Sequence, residues 1–194
     1  MDLKKFALQY VEGLCERLTA IDQEKLEQLM LLIRDAIEKN RIIFVCGNGG
    51  SAAISSHFVC DYVKGIRVGN DTVVKMVCLN DNIPMITAIS NDIGYEEVFA
   101  YQLSSLGGRG DLLIVVSSSG NSSNIVRVLE EAKRMGITTC ALVGFSGGEA
   151  RRLSNLAIHI DSSNYGIVED SHHVIMHLIT QYLARSENTE VPKE

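Results

Sequence analysis

The sequence predicts an α/β fold in which a doubly wound parallel sheet follows two leading helices. Short apolar runs, of which residues 42–46 are typical, alternate with segments of helical periodicity. Two of these runs end at a glycine or serine cluster, where a buried parallel strand passes into a helix. The chain has 194 residues, 46% of them hydrophobic, which is enough for one domain with a sizeable core.

The first 40 residues show helical patterns only. Apolar side chains recur at helical spacing in two stretches, at Leu3, Phe6, Tyr10, Leu14 and Leu18 and then at Leu26, Leu29, Met30, Ile33 and Ile37. Asp22 is a suitable N-cap for the second helix. The apolar stripes of such a helix pair need a cover, and a partner subunit often supplies it. We therefore expect a homo-oligomer.

From Arg41 onward, strands and helices alternate. Strands are predicted over residues 42–46, 73–79, 112–116, 138–143 and 156–160. Helices are predicted over residues 50–64, 83–90, 95–106, 122–135, 149–154 and 166–186. This alternation places helices on both faces of a parallel sheet. Residues 1–186 are interpreted as a single domain that includes the helical pair at 1–40, and residues 187–194 as a polar, disordered tail.

The composition narrows the class of protein. A net charge of −6 argues against a general nucleic-acid-binding protein, which needs a basic surface. The five cysteines are scattered and form no CxxC pair, which indicates reduced thiols. The N-terminus lacks the apolar core of a signal peptide, and no apolar run approaches the length of a membrane span. We expect a cytoplasmic protein that binds neither nucleic acid nor membrane.

Two loops stand out because each follows a predicted strand and precedes a helix, which is where open α/β sheets bind ligands. The glycine loop is Gly47-Asn48-Gly49-Gly50-Ser51, and the serine loop is Ser117-Ser118-Ser119-Gly120-Asn121-Ser122. Backbone N–H groups and hydroxyls at a helix start form an anion site. Either loop alone is equally well explained as a plain turn with serine caps. Two of them at equivalent strand ends favour a phosphate site, and the absence of GxGxxG and GK[ST] spacing disfavours a nucleotide.

Histidines and carboxylates recur at helical spacing on two predicted helices. His57 and Asp61 share one face, and Glu169, His173 and His177 share another. Either set could bind a divalent metal or transfer protons, whereas a lone pair of this kind is more often a helix hydrogen bond on a solvated face. The last helix is otherwise largely apolar, and buried ionisable groups need partners. The two sets together therefore favour a functional site.

With these residues, the sequence resembles the SIS (sugar isomerase) domain family, and within it the phosphoheptose isomerases. The resemblance extends from Met1 to Leu183 and rests on four segments: GNGGSAAISSHF, TAISNDIGYEEVF, VSSSGNSSN and the last helix with His177. It implies a flavodoxin-like fold, and a homotetramer with active sites at subunit interfaces. It also implies interconversion of sedoheptulose 7-phosphate and D-glycero-D-manno-heptose 7-phosphate for surface glycans such as lipopolysaccharide or capsule.

The resemblance also implies roles for individual residues. The substrate would contact Asn48, Gly49, Gly50, Ser51, Asp92, Ser117, Ser118, Ser119, Ser122 and Glu169. Zinc or another divalent metal would be held by His57, Asp61, Glu169 and His177. The family has glutamate where this chain has Asp61 and glutamine where it has Glu169. Its arginine after the first site helix has no clear match in residues 64–67.

An aldose–ketose isomerase moves a proton between C1 and C2 through an enediol, and we assign that proton transfer to Asp61 and His177. The sequence leaves the division of their roles open. The main alternative is a non-catalytic SIS protein, either a sugar-phosphate-sensing regulator or a protein that associates with a replication initiator. Such proteins can lose the acid–base groups, whereas His57, Asp61, Glu169 and His177 are all present here.

Overall fold

The computed structural model describes residues 2–67 and 72–187 and contains one five-stranded parallel sheet. Its strands are β1 (Ile42–Gly47), β2 (Lys75–Cys78), β3 (Leu112–Ser117), β4 (Thr138–Val143) and β5 (Leu156–His159). They lie in the order β2-β1-β3-β4-β5, and each neighbouring pair is parallel. This is the flavodoxin-like order of a doubly wound sheet, so the expected fold class is confirmed.

The helices also occupy the expected places. They are α1 (Leu3–Thr19), α2 (Gln23–Glu38), α3 (Gly50–Cys60), α4 (Ile83–Asp92), α5 (Ala100–Leu106), α6 (Ser123–Met135), α7 (Gly148–Leu153) and α8 (Tyr165–Glu187). The segment predicted as one helix over residues 95–106 is divided, because a 3₁₀ turn at Tyr95–Glu97 precedes α5. Of the predicted tail, Glu187 is the last residue of α8, and 188–194 lie outside the described residues.

Two apolar layers sandwich the sheet because alternate strand residues point to opposite faces. In β1, Ile43 and Val45 pack into the layer formed with α2, α3 and α8, while Phe44 and Cys46 pack into the layer formed with α4 to α7. The core residues of β1 and β3 are almost completely inaccessible, which explains why these strands are continuously apolar in sequence.

The two leading helices are covered to different extents. Asp22 accepts hydrogen bonds from the backbone N–H groups of Glu24 and Lys25, so it is the N-cap that the sequence indicated. The α2 helix buries Leu29 and Ile33 in the core, whereas α1 has no buried residue. None of the described helices is both long and apolar enough to cross a membrane.

The order of the strands determines where a ligand can bind. The chain adds β2 on one side of β1 and then crosses to add β3 on the other side. The direction in which successive strands are added therefore reverses between β1 and β3, although all strands stay parallel. The helices that follow these two strands lie on opposite faces, which leaves a crevice at their carboxyl ends. The glycine loop follows β1 and the serine loop begins at the end of β3, so both lie at this crevice.

Candidate active site

The glycine loop is held close to its neighbours by backbone contacts that only glycine permits. A Cβ atom at Gly47 would lie 2.7 Å from the carbonyl oxygen of Val116, and Gly49 has a φ of +56°. The side chain of Asn80 accepts a hydrogen bond from the Gly47 N–H and donates one to its carbonyl. No side chain among the described residues caps the start of α3, so the N–H groups of Gly50 and Ser51 are left for a ligand, while those of Ala52 and Ala53 donate to the Gly49 carbonyl.

The serine loop turns sharply around Gly120, which has a φ of +67°. The Gly120 N–H donates to the hydroxyl of Ser117 at 3.1 Å, and the Asn121 N–H donates to that of Ser119 at 3.3 Å. Ser122 is the N-cap residue of α6, but its side chain makes no capping hydrogen bond. Its hydroxyl and the N–H groups of Ser123 and Asn124 are therefore available to an anion, whereas those of Ile125 and Val126 donate to the Ser122 carbonyl.

The first turn of α7, with Gly147 before it, supports the serine loop, and no sequence pattern predicted this role. The Glu149 N–H donates to Asn121 Oδ1 at 3.0 Å, and the Ala150 N–H donates to the Gly120 carbonyl at 2.9 Å. A Cβ atom at Gly148 would approach the Ser119 carbonyl oxygen to 2.5 Å. The two glycines at 147 and 148 were the available signal, because paired glycines permit close contact between backbones.

A reciprocal amide pair joins the glycine loop to the start of α6. Asn48 Nδ2 donates to Asn124 Oδ1 at 2.8 Å, and Asn124 Nδ2 donates to Asn48 Oδ1 at 2.9 Å. The hydroxyl of Tyr95 donates to the same Asn48 oxygen at 2.9 Å. Asn124 is buried, so these hydrogen bonds satisfy an amide that would otherwise be unpaired. No role was predicted for Asn124 or Tyr95, although both lie in segments that carry the family resemblance.

Two imidazoles and one carboxylate meet where α3 and α8 pack together. The Nε2 atoms of His57 and His177 are 3.0 Å apart. Asp61 Oδ2 lies 3.2 Å from His57 Nε2 and 3.1 Å from His177 Nε2. Residues 57 and 177 are 120 positions apart, so the fold brings His177 of the last helix to the pair formed by His57 and Asp61.

Asp61 reaches this cluster despite its short side chain. The helix that the sequence predicted up to residue 64 ends as an α-helix at Cys60, and Asp61–Gly65 form a π turn. Asp61 is thus the first residue of a local widening of the helix, a feature that occurs frequently at functional sites. The glutamate that the family resemblance implied is not needed for contact with both histidines.

A third histidine belongs to the same cluster. The ring of His173 stacks on His177 with centroids 5.1 Å apart and packs edge-on against His57, also at 5.1 Å. Its Nε2 atom is buried without a hydrogen-bond partner. Burial, followed by the neighbouring His177 and His57, lowers the pKa of His173, so the neutral imidazole is favoured. The helical spacing placed His173 on the face that could bind a metal, but the zinc ligands implied by the family resemblance did not include it.

The fourth expected metal ligand lies elsewhere. The carboxylate of Glu169 lies over the first turn of α3, where its oxygens are 2.5 and 2.6 Å from the position that a Cβ of Gly50 would take. No hydrogen bond or ion pair between described residues joins it to a histidine. The structure therefore gathers His57, Asp61 and His177 and directs Glu169 to the glycine loop. Asp92, expected to bind sugar hydroxyls, is exposed at the end of α4 and accepts from Asn91 Nδ2.

The five cysteines are free, as expected for a reduced protein. Burial is the main reason that the pKa of the Cys78 thiol rises to about 11 and that of Cys140 to about 12, so neither is a thiolate at neutral pH. Cys78 and Cys140 are therefore structural rather than catalytic residues.

The fold and the two loops define the class of protein. The family model of the SIS domain matches residues 8–144, more than half of the chain. A phosphoheptose isomerase of Helicobacter pylori is 35% identical over 183 residues, which cover 94% of each chain. The chain therefore belongs to the phosphoheptose isomerases of the SIS domain family.

Solved structures give the same picture. A phosphoheptose isomerase from Francisella tularensis matches with a TM-score of 0.87 and 25% identity, covering 94% of this chain and 96% of that one. The phosphoheptose isomerase from Neisseria gonorrhoeae matches with a TM-score of 0.84 and 25% identity, covering 93% and 97%. The similarity thus includes both leading helices and the last helix, on which His177 lies.

Proposed function

We propose that this chain is an aldose–ketose isomerase that converts sedoheptulose 7-phosphate to D-glycero-D-manno-heptose 7-phosphate for the synthesis of heptose precursors of surface glycans. The observation that carries the proposal is the contact of His57 and Asp61 with His177, on the two helices beside the crevice. A non-catalytic SIS protein has no need for an imidazole–carboxylate cluster of this kind. Relatives named phosphoheptose isomerase supply the substrate assignment.

The phosphate would bind between the two loops. The proposed contacts are the hydroxyls of Ser51, Ser117, Ser118, Ser119 and Ser122, together with the backbone of Gly49 and Gly50 and the nearby amide of Asn48. The uncapped N-termini of α3 and α6 favour an anion without a lysine. Asp92 would accept hydrogen bonds from sugar hydroxyls, and Glu169 would contact the sugar beside Gly50.

The spacing along α3 agrees with a substrate phosphorylated at one end. His57 lies seven residues after Gly50, so the cluster is about 10 Å along the helix from the loop. A sugar whose phosphate is held at the loops reaches the cluster only with its far end. In a 7-phosphate, that end carries C1 and C2, the two carbons between which the isomerase moves a proton.

The cluster fits a divalent metal. In a tetrahedral site with ligands at about 2.0 Å, neighbouring ligand atoms lie about 3.3 Å apart. The three observed separations of 3.0, 3.1 and 3.2 Å are close to that value. Nitrogen and oxygen donors together suit zinc. We propose that His57, Asp61 and His177 hold zinc or a similar ion, which when bound would polarise the carbonyl and hydroxyl oxygens of the substrate.

Asp61 and His177 are the proposed proton-transfer pair. A base removes a proton from C1 of the ketose, and the C1–C2 enediol forms as the oxygen on C2 gains a proton. A proton is then delivered to C2, and the hydroxyl on C1 loses its proton as the aldehyde forms. Asp61 Oδ2 and His177 Nε2 lie 3.1 Å apart, so a proton can pass directly between them while neither atom is bound to a metal ion.

We further propose that the protein is a cytoplasmic homotetramer with active sites at subunit interfaces. The α1 helix has no buried residue and exposes four large apolar side chains, Leu3, Phe6, Leu8 and Val11. Leu178 and Tyr182 on α8 are also exposed. Apolar surface of this kind is usually covered by a partner. Light scattering at micromolar concentration should give four times the chain mass, and a monomer would refute this part of the proposal.

The function is tested by incubating the purified protein with sedoheptulose 7-phosphate and following the products by NMR. We expect conversion by the wild type and none by His177→Ala. Phosphate binding should be largely retained in His177→Ala, because the loops are separate from the cluster. A protein that binds the sugar phosphate but never converts it would support the regulatory alternative instead.

A further inference from the structure

The cluster between α3 and α8 contains two pairs of potential ligands with the same spacing. His57 and Asp61 are four residues apart on α3 and its π turn, and His173 and His177 are four residues apart on α8. Residues at this spacing lie one above the other on a helix face, and two such histidines often bind one metal ion. The two pairs face each other: the ring of His57 packs against those of His173 and His177, and Asp61 Oδ2 lies 3.1 Å from His177 Nε2.

The geometry of His173 makes it part of this set. One ring nitrogen from each of His57, His173 and His177 lies within 4.8 Å of the other two. The three ring centroids are separated by 5.1, 5.2 and 5.1 Å, which is nearly an equilateral triangle. The buried Nε2 of His173 has no hydrogen-bond partner among residues 2–67 and 72–187. A buried polar atom without a partner is costly unless a ligand satisfies it.

Glu169 is a poorer fourth ligand than His173. It lies eight residues before His177, which is about 12 Å along the helix axis, whereas four residues span about 6 Å. The shorter spacing is that of histidine pairs that bind one metal ion from one helix face. The Glu169 carboxylate also lies over Gly50, two helical turns before His57 on α3.

We propose that His173 is the fourth metal ligand of this chain, in a set formed by three imidazoles and the carboxylate of Asp61. This inference rests on the metal site proposed above. Glu169 then remains beside the glycine loop, where it contacts the sugar and not the metal. One carboxylate instead of two leaves a bound zinc site with a net charge of +1 instead of zero. That charge favours the binding of an anionic enediolate.

The test compares the affinity of the metal-stripped protein for zinc, measured by competition with a chromophoric chelator, in three proteins. We expect one zinc ion per wild-type chain. His173→Leu, which fits the apolar surroundings of α8, should lose affinity by about 100-fold or more, since a quarter of the ligand set is gone. Glu169→Leu is the matched control on the same helix, removes every donor atom of that side chain, and should stay within about threefold of the wild type.

A second measurement does not depend on the folding of any variant. X-ray absorption at the zinc edge of the wild-type protein should show the scattering of three imidazoles. Two imidazoles, or a loss of affinity in Glu169→Leu with none in His173→Leu, would overturn the inference and leave the proposed metal site intact. A wild-type protein that binds no zinc would overturn both, while its conversion of sedoheptulose 7-phosphate would still be tested separately by NMR.

Discussion

Replacement of Gly120 by alanine tests whether the conformation of the serine loop is required for function. Gly120 has a φ of +67°, which costs a non-glycine residue about 1–2 kcal/mol. Its added methyl group would overlap the carbonyl oxygen of Gly147 and lie 2.7 Å from the carbonyl carbon. Both partners are backbone atoms of packed loops, so the overlap is relieved only if a loop moves.

The structure gives the size of the effect. Movement of the loop breaks the hydrogen bonds from Gly120 N–H to Ser117 and from Ala150 N–H to the Gly120 carbonyl, at about 1 kcal/mol each. Together with the strain, Gly120→Ala should lower the free energy of unfolding by about 3 kcal/mol, after a gain of about 0.5 kcal/mol from the stiffer unfolded chain. The displaced hydroxyls should also raise KM at least tenfold.

Two other glycines separate strain from overlap. Gly49 has a φ of +56° and a ψ of −123°, but no described atom beyond its chain neighbours lies within 4 Å of an added Cβ, so Gly49→Ala should cost only the backbone strain, about 1–3 kcal/mol. A Cβ at Gly108 meets only Asp111 Oδ2 at 3.9 Å, so Gly108→Ala should stay within about 0.5 kcal/mol of the wild type. Urea unfolding of the three variants measures the series. Equal stability of Gly120→Ala and Gly108→Ala would refute the reasoning.

Three further predictions concern the loops and the buried histidine. Asn124→Ala removes two hydrogen bonds to Asn48 and should lower the free energy of unfolding, measured in urea, by about 2 kcal/mol. It should also raise KM, and an unchanged KM would show that the pair does not position the loops. Ser119→Ala should raise KM with little change in kcat, as steady-state kinetics would show. Burial lowers the pKa of His172 to about 4, below its unfolded value of about 6.5. As the pH falls, the unfolded chain therefore binds the proton first. The free energy of unfolding should fall by about 3 kcal/mol as the pH drops from about 6.5 to about 4. Urea unfolding between pH 7 and pH 4 should show this loss reduced in His172→Gln, and equal pH dependence in both proteins would contradict it.

The sequence predicted the features that depend on local pattern. Apolar runs located all five strands, and the residues after two of them located both loops at the crevice. The spacing of His57 and Asp61, and of Glu169 and His177, placed each pair on one helix face. The prediction that the two pairs meet was correct for three of these four residues.

The remaining features depend on side-chain directions and contacts between distant segments. Glu169 and His177 share a face, but two helical turns separate them, so their carboxylate and imidazole point to different parts of α3. The pairing of Asn48 with Asn124 joins residues 76 positions apart, and neither asparagine signals the other. The π turn at Asp61 has no sequence signature comparable to a proline or a glycine.

If this protein moves a proton between C1 and C2 of sedoheptulose 7-phosphate through an enediol, protons of the solvent can enter the sugar at both carbons. The most direct test is prolonged incubation of the zinc-loaded protein with that sugar in D₂O, with both carbons followed by NMR. We expect formation of the aldose 7-phosphate, with deuterium accumulating at C2 of the aldose and C1 of the ketose. His177→Ala should show neither the conversion nor the deuterium. Absence of conversion by the wild type, or conversion that never introduces deuterium, would contradict it.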